Sequence, residues 1–353
     1  MNKQQRAGNS PTLKKDDLIV ISGAGGFIAG ALTAYFHNQG FTRIRAIDKK
    51  PLPEWYQRVS GVESLSMDLS EKDNCIKACE GAVEVYNLAA DMGGMGFIER
   101  FRVQCLRSIL INTHMIEAAY RAGVERYFFS SSACAYNTEL QEDPDAKALK
   151  ESDAYPAMAE RGYGWEKLMS EMFCQEYWAE RGMKTFIARF HNVYGPCGTW
   201  DGGREKAPAA ICRKVIEAKD SGKHEIVIWG DGKQTRSFMY IDDCIRGIEM
   251  IMHCDDLIAT PINLGSSVLI SINDLLSLVE DIAGVKLERK YDLDAPRGVA
   301  GRNSDNTLIK KILHWEPTTP LRAGLEKTYA WIEQQYADRK AGKRTVTEHF
   351  QAA

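Results

Sequence analysis

Apolar residues fall in two rhythms along this chain. Short runs rich in β-branched and aromatic residues stand at 17–22, 43–47, 83–88, 126–130 and 184–190. They are bounded by turn residues, as expected of strands buried on both faces. Between them lie stretches with helical spacing, such as 27–36 and 109–122. Strands alternating with helices predict an α/β fold with a doubly wound parallel sheet, Rossmann-like, whose ligands bind beyond the carboxyl ends of the strands. Further on, 262–265 reads as a strand, Ser271 caps a helix to about 283, and 321–336 is amphipathic.

Two glycine- and tryptophan-containing loops, 194–204 and 229–236, interrupt this pattern. They predict a smaller substrate lobe that is discontinuous in sequence. On this reading 17–193 and about 237–265 form the dinucleotide domain, about 194–236 and 266–336 form the lobe, and 1–16 and 339–353 are flexible tails.

Composition narrows the partners. Lys and Arg total 45 against 48 Asp and Glu, a net charge of -3, so no general attraction to nucleic acid or anionic membrane is expected. No apolar run approaches a membrane span, and the polar start lacks a signal-peptide core. Nine scattered cysteines without CxxC pairs, and seven histidines without ligand spacing, point to a reducing cytoplasm and no metal.

Chemistry concentrates in three places. The first run leads into Gly23-Ala24-Gly25-Gly26-Phe27-Ile28-Ala29 and then a helix, the strand–turn–helix context of a dinucleotide fingerprint. Asp48 ends the second strand, where a carboxylate accepts ribose hydroxyls, favouring NAD over NADP; Lys49 and Lys50 are the competing signal for a 2'-phosphate. Asp68, after the third strand, suits either the adenine edge or a helix N-cap. Tyr163 and Lys167 share one helix face, and a cation near a phenol favours the phenolate. His191 reads as a core histidine bonded to backbone, and Trp200 and Trp229 as packing anchors.

Gly23-x-x-Gly26, Asp48, Asn87-Leu88-Ala89-Ala90, Ser132 and Tyr163-x-x-x-Lys167 together resemble the extended short-chain dehydrogenase/reductase superfamily of nucleotide-sugar epimerases and dehydratases. Within it, Ala90-Asp91-Met92-Gly93-Gly94-Met95-Gly96-Phe97, Ser131-Ser132-Ala133-Cys134 and Gly301-Arg302-Asn303-Ser304-Asp305 are similar to the GDP-mannose 3,5-epimerase family. The chain departs from that family at Ala135-Tyr136-Asn137, where a bulkier aliphatic residue and then Tyr-Pro are usual.

That resemblance implies an isomerase holding NAD as a recycled cofactor, with GDP-mannose as substrate, GDP-L-galactose and the 5-epimer GDP-L-gulose as products, and a homodimeric assembly. It implies cofactor contacts at Gly23, Gly26, Phe27, Ile28, Asp48, Asp68, Leu88, Tyr163 and Lys167. Tyr163 would deprotonate the carbon-4 hydroxyl, Lys167 would lower the tyrosine's pKa, and Ser132 would bond the reacting oxygen. Cys134 would be the base and Lys206 the acid of the inversions, with Lys206 drawing the thiol's pKa down. Lys214 and Arg302 are candidates for the diphosphate. Gly93, Asn192, Glu205, Ala207, Gln234 and Arg236 would complete the substrate contacts.

Rival readings are a UDP-sugar 4-epimerase, a nucleotide-sugar 4,6-dehydratase and a dinucleotide sensor without catalysis. The first needs neither Cys134 nor Lys206. The second usually carries Asp-Glu where Ala133-Cys134 stands, and the third commonly loses its tyrosine.

Overall fold

A computed structural model of the chain describes residues 13–296 and 298–343. Strands β1 to β6 are Ile19–Ser22, Ile44–Asp48, Glu63–Ser66, Glu84–Asn87, Arg126–Ser132 and Lys184–Phe190. After them come β7 (Asn192–Tyr194), β8 (Glu225–Trp229), β9 (Thr235–Tyr240), β10 (Pro261–Leu264), β11 (Leu269–Ser271), β12 (Glu288–Asp292) and β13 (Gly301–Arg302). The helices are α1 (Phe27–Asn38), α2 (Lys72–Cys79), α3 (Met95–Arg100), α4 (Arg102–Leu106), α5 (Ser108–Arg121) and α6 (Tyr163–Arg181). They continue as α7 (Ala207–Ser221), α8 (Ile241–Met252), α9 (Ile272–Ala283), α10 (Thr307–Leu313) and α11 (Leu321–Lys340).

Seven parallel strands form the main sheet in the order β10-β6-β5-β4-β1-β2-β3. The chain winds outward from β1 to β3, then crosses to β4 and winds the other way. That reversal opens a crevice beyond the carboxyl ends of β1 and β4, where the α/β topology seats ligands. Side chains of β1 alternate between the two faces. Ile19 and Ile21 join the core under α1 and α8, whereas Leu18 and Val20 join the core under α2, α5 and α6.

The doubly wound sheet is as the sequence predicts; the lobe boundary is not. Strand β9 pairs with β7, β11 and β13 in a separate four-stranded sheet, and β8 pairs with β12. Residues 237–240 therefore belong with the smaller sheet, and the chain rejoins the main sheet through α8 and β10. The predicted tail from 339 also begins too early. Arg339 lies inside α11, bonded to Asp201 at 2.6 Å and stacked 4.1 Å from the ring of the fully buried Trp200. The expected tail positions 1–12 and 344–353 lie outside the described residues.

Candidate active site

The crevice is a cleft of about 1500 Å³. Its lining includes Gly23, Gly26, Phe27, Ile28, Asp48, Asp68, Leu88, Ser132, Tyr163, His191 and Lys206. The glycine turn is tight for steric reasons. Gly23 has φ +78, and a Cβ there would lie 3.0 Å from the Leu88 carbonyl and the Ala89 nitrogen. Below it, Ser22 Oγ donates to Asn87 Oδ1 at 2.7 Å and accepts from the Leu88 and Ala89 amides, tying the tips of β1 and β4 together.

At the tip of β2, Asp48 accepts from the Gly25 amide at 3.1 Å on one oxygen and from the Lys50 amide at 3.0 Å on the other. The carboxylate thus lines the cleft at the place where a ribose diol would meet it. Lys49 is paired with Asp91 at 2.6 Å, and Lys50 donates to the Gly25 carbonyl at 3.3 Å, so neither is set aside for a 2'-phosphate. Asp68 is not the N-cap of α2, a place taken by Glu71; it lines the cleft and accepts from the Ser70 amide at 2.9 Å in the turn before that helix. These residues fit a dinucleotide with an unmodified adenosine ribose.

At the far end of the cleft stands Tyr163, the first residue of α6, packed with Cys134 and Cys105. Lys167 is 1% exposed, its ammonium 5.4 Å from the Tyr163 ring centroid and without a hydrogen-bond partner. Burial lowers the Lys167 pKa, opposed chiefly by Glu166. The predicted lowering of the tyrosine is not seen. Burial, then the neighbouring Cys134 and Glu166, hold the phenol well above its usual value, and desolvation outweighs the opposing hydrogen bond with Ser132.

A model of the NAD dependent epimerase/dehydratase family matches residues 19–265. The chain belongs to that family. Among relatives it is 43% identical over 324 residues to the GDP-mannose 3,5-epimerase of Arabidopsis thaliana, covering 92% of this chain and 84% of the relative. To GDP-mannose 3,5-epimerase 1 of Oryza sativa subsp. japonica it is 42% identical, covering 91% of this chain and 83% of the relative. The fold is similar to that of the UDP-glucose 4-epimerase of Thermotoga maritima, with a TM-score of 0.78 at 21% identity, covering 90% of this chain and 99% of that one.

Beyond the epimerase/dehydratase frame, the second half of the site hangs on Ser132. It ends β5, and its Oγ accepts from the Cys134 amide at 3.1 Å, bending the chain into a single helical turn that carries the thiol. Burial and then Glu160 raise the Cys134 pKa, while Arg302 opposes them. The cation on the sulfur is not the one predicted: Arg302 Nη1 donates to Sγ at 3.4 Å. Lys206 stands at the N-cap of α7, where burial lowers its pKa against the opposing pull of Cys134. A depressed ammonium pKa suits a proton donor.

Cys134, Arg302 and the remaining predicted substrate residues lie outside the lining of this cleft. Gly93 is needed for space: a Cβ there would come within 2.8 Å of Phe97 and 3.2 Å of Arg204 Cα. Asn192 donates to the Ser237 carbonyl at 3.1 Å, and Ala207 opens α7. Glu205 accepts from Arg213 at 3.1 Å and from the Gly203 amide at 2.7 Å, so its carboxylate shapes the loop. Lys214 donates to the Val227 carbonyl at 2.9 Å beside the half-exposed Trp229, so only one of the two predicted anchors, Trp200, is enclosed. Gln234 donates to the Trp229 carbonyl at 2.9 Å and leaves a buried Oε1 without a partner. Arg236 donates to the Thr235 and Val299 carbonyls, and burial and then Arg302 push its pKa down to about 10. Such concentrated positive charge favours an anionic ligand.

Three sets of contacts around the site were not read from the sequence. His191 bonds a side chain, not backbone: Asn263 gives both amide hydrogens to the Leu149 and Asp305 carbonyls, so its Oδ1 must accept from His191 Nε2 at 3.0 Å. Burial lowers the His191 pKa to about 4, leaving Nδ1 a buried acceptor without a partner. Arg189 and Glu171, both 2% exposed, pair at 2.7 Å, and Glu171 also accepts from Ser131 next to Ser132. The Gly94 amide donates to the Arg204 carbonyl at 2.9 Å, and Arg204 stacks 4.0 Å from the Phe97 ring. This joins the loop after β4 to the loop before α7.

Proposed function

We propose that the protein converts GDP-D-mannose to GDP-L-galactose by inverting carbons 3 and 5, with GDP-L-gulose as the product of the carbon-5 inversion alone. What carries this reading is Cys134 packed directly behind Tyr163, which lines the dinucleotide cleft together with Lys206. The 43% identity to a GDP-mannose 3,5-epimerase over 92% of the chain supports it. Gly23, Gly26, Phe27, Ile28, Asp48, Asp68, Leu88 and Lys167 would hold NAD.

Bound NAD supplies a reversible acceptor for the hydrogen and electron pair of carbon 4. Tyr163 takes the proton of the carbon-4 hydroxyl, and Ser132 hydrogen-bonds that oxygen. The ketone so formed acidifies the protons on carbons 3 and 5, because each carbanion is delocalised as an enolate. Cys134, as thiolate, removes the proton from one side, and Lys206, as ammonium, delivers one to the other. Tyr163 returns its proton when carbon 4 is reduced again, so no net redox change occurs. Lys214, Arg236 and the polar groups of Asn192 and Gln234 would hold the GDP portion.

The experiment is incubation with GDP-mannose in deuterated water. Deuterium at carbons 3 and 5 is expected; label at neither rules the function out. Cys134→Ser should keep carbon-4 oxidation and block inversion, whereas Tyr163→Phe should stop both.

Two copies would pair through α5 and α6, whose Leu110, Trp165, Met169 and Met172 are 40–50% exposed. A face of large apolar residues at that spacing suits a helix-to-helix interface. A solution mass equal to one chain refutes it. All nine cysteines are free and seven are buried, which supports action in a reducing cytoplasm. No helix among the described residues is long and apolar enough to cross a membrane.

A further inference from the structure

We propose that Arg302, clamped by Gln141 and Glu160, is the positioning cation that sets the charge state of Cys134, so that it serves the inversion chemistry. The proposal rests on the reading of Cys134 as the proton-abstracting group. It stands first on geometry. Arg302 is 7% exposed, and three of its nitrogens are engaged inside the protein: Nε by Gln141 Oε1, Nη1 by Cys134 Sγ at 3.4 Å and Nη2 by Glu160 Oε2 at 3.3 Å.

The clamp is itself held. Gln141 is 1% exposed and gives its amide hydrogen to the Asn137 carbonyl at 3.0 Å, which turns Oε1 toward the guanidinium. The Glu160 amide donates to the Cys134 carbonyl at 3.0 Å, so carboxylate and thiol are carried on backbone tied together. Gly301 fixes the other side: a Cβ there would lie 2.3 Å from the Asp143 carbonyl oxygen. A planar fork locked this way is fixed in its orientation on the sulfur and the carboxylate.

One cation therefore faces two potential anions. Glu160 raises the thiol's pKa after burial has done so, and Arg302 pulls it back. Lys206, Arg236, Lys167, Tyr163 and Cys105 also act electrostatically on Cys134, from α7, β9, α6 and α4. Arg302 differs from these cations in touching the sulfur. Glu160 Oε1 is buried without a hydrogen-bond partner, so the carboxylate is held by charge more than by donors.

The test is a titration of the Cys134 thiolate by its ultraviolet absorbance, taken as the difference between each protein and the same protein carrying Cys134→Ser. It needs neither substrate nor cofactor. Glu160→Gln keeps shape and removes charge, and should move the midpoint down by about one pH unit. Arg302→Met should move it up by a similar amount, and Gln141→Leu should move it up by less. An unchanged midpoint in Glu160→Gln overturns the proposal, as does an unchanged or lowered one in Arg302→Met; if the arginine variant fails to fold, the glutamate variant decides alone. If the midpoints move as expected while Cys134→Ser still inverts carbons 3 and 5, the clamp stands and the assignment of the base falls.

Discussion

Replacing Gly164 by alanine should separate activity from stability. Gly164 is the second residue of α6, directly under the loop that carries the thiol. A Cβ at this position would lie 2.1 Å from the Cys134 carbonyl oxygen and 2.9 Å from its carbon, both backbone atoms that no rotamer change can move. Restoring van der Waals contact requires the loop and the first turn of α6 to part by roughly 1 Å. Tyr163 rides on one piece and Cys134 on the other. A misplacement of that size costs on the order of 100-fold in turnover. The strain costs about 1–3 kcal/mol, offset by up to about 1 kcal/mol from the better helix propensity of alanine. At roughly 1 °C per kcal/mol for a chain of this length, the melting temperature should fall by about 3 °C at most. Turnover of GDP-mannose and thermal unfolding, measured on the same preparation, decide the matter. A variant within about threefold of wild-type turnover would show that the contact between α6 and the Cys134 backbone does not set the site.

Other perturbations follow from single contacts. Arg189→Met strands the Glu171 carboxylate at a site 2% exposed, and should cost about 3–5 kcal/mol in denaturant unfolding; a loss under 1 kcal/mol would mean that water reaches the pair. Asp48→Asn should weaken NAD binding by about 1.5–3 kcal/mol in calorimetry without improving NADP, because Lys49 is committed to Asp91; equal affinity for NAD refutes the ribose role. For His253, burial lowers the imidazole pKa, but the 3.0 Å bond to Glu84 and its charge outweigh burial and hold it above the ordinary 6.5. A raised folded value means that its stabilisation is complete below pH 6.5 and is lost as pH rises through the folded pKa. Wild type should therefore exceed His253→Gln in denaturation midpoint at low pH and converge with it at high pH, and a constant gap would contradict this.

The dinucleotide half was legible because its signals are local. A strand, a glycine turn and a helix sit within about twenty residues, and Asp48 follows at the distance that one crossover imposes. The lobe was less so. Strand β8 alternates buried and exposed positions over only five residues, and its partner β12 is mostly exposed, so neither stood out from loop. Strand β9 begins inside the polar stretch Gln234-Thr235-Arg236, where pairing with β13 overrides weak strand character. The inversion centre was half readable. Cys134 and Lys206 follow from resemblance, but the arginine on the sulfur stands 168 residues away, and Gln141 and Glu160 carry no motif. Such contacts exist only after two sheets have packed. The phenol and the thiol both stand above their usual values for one reason: spacing reports which charges are near, whereas burial decides which form they favour.

The hydrogen bond between Gly94 and Arg204 has a consequence for how this protein can diverge. Two stretches more than a hundred positions apart meet with no room for a methyl group, since a Cβ on Gly94 would sit 2.5 Å from the Glu205 carbonyl oxygen. An insertion in either stretch has to be matched by a change in the other. Across descendants of this gene the lengths of the two segments should rise and fall as a pair, even where the neighbouring surface drifts freely.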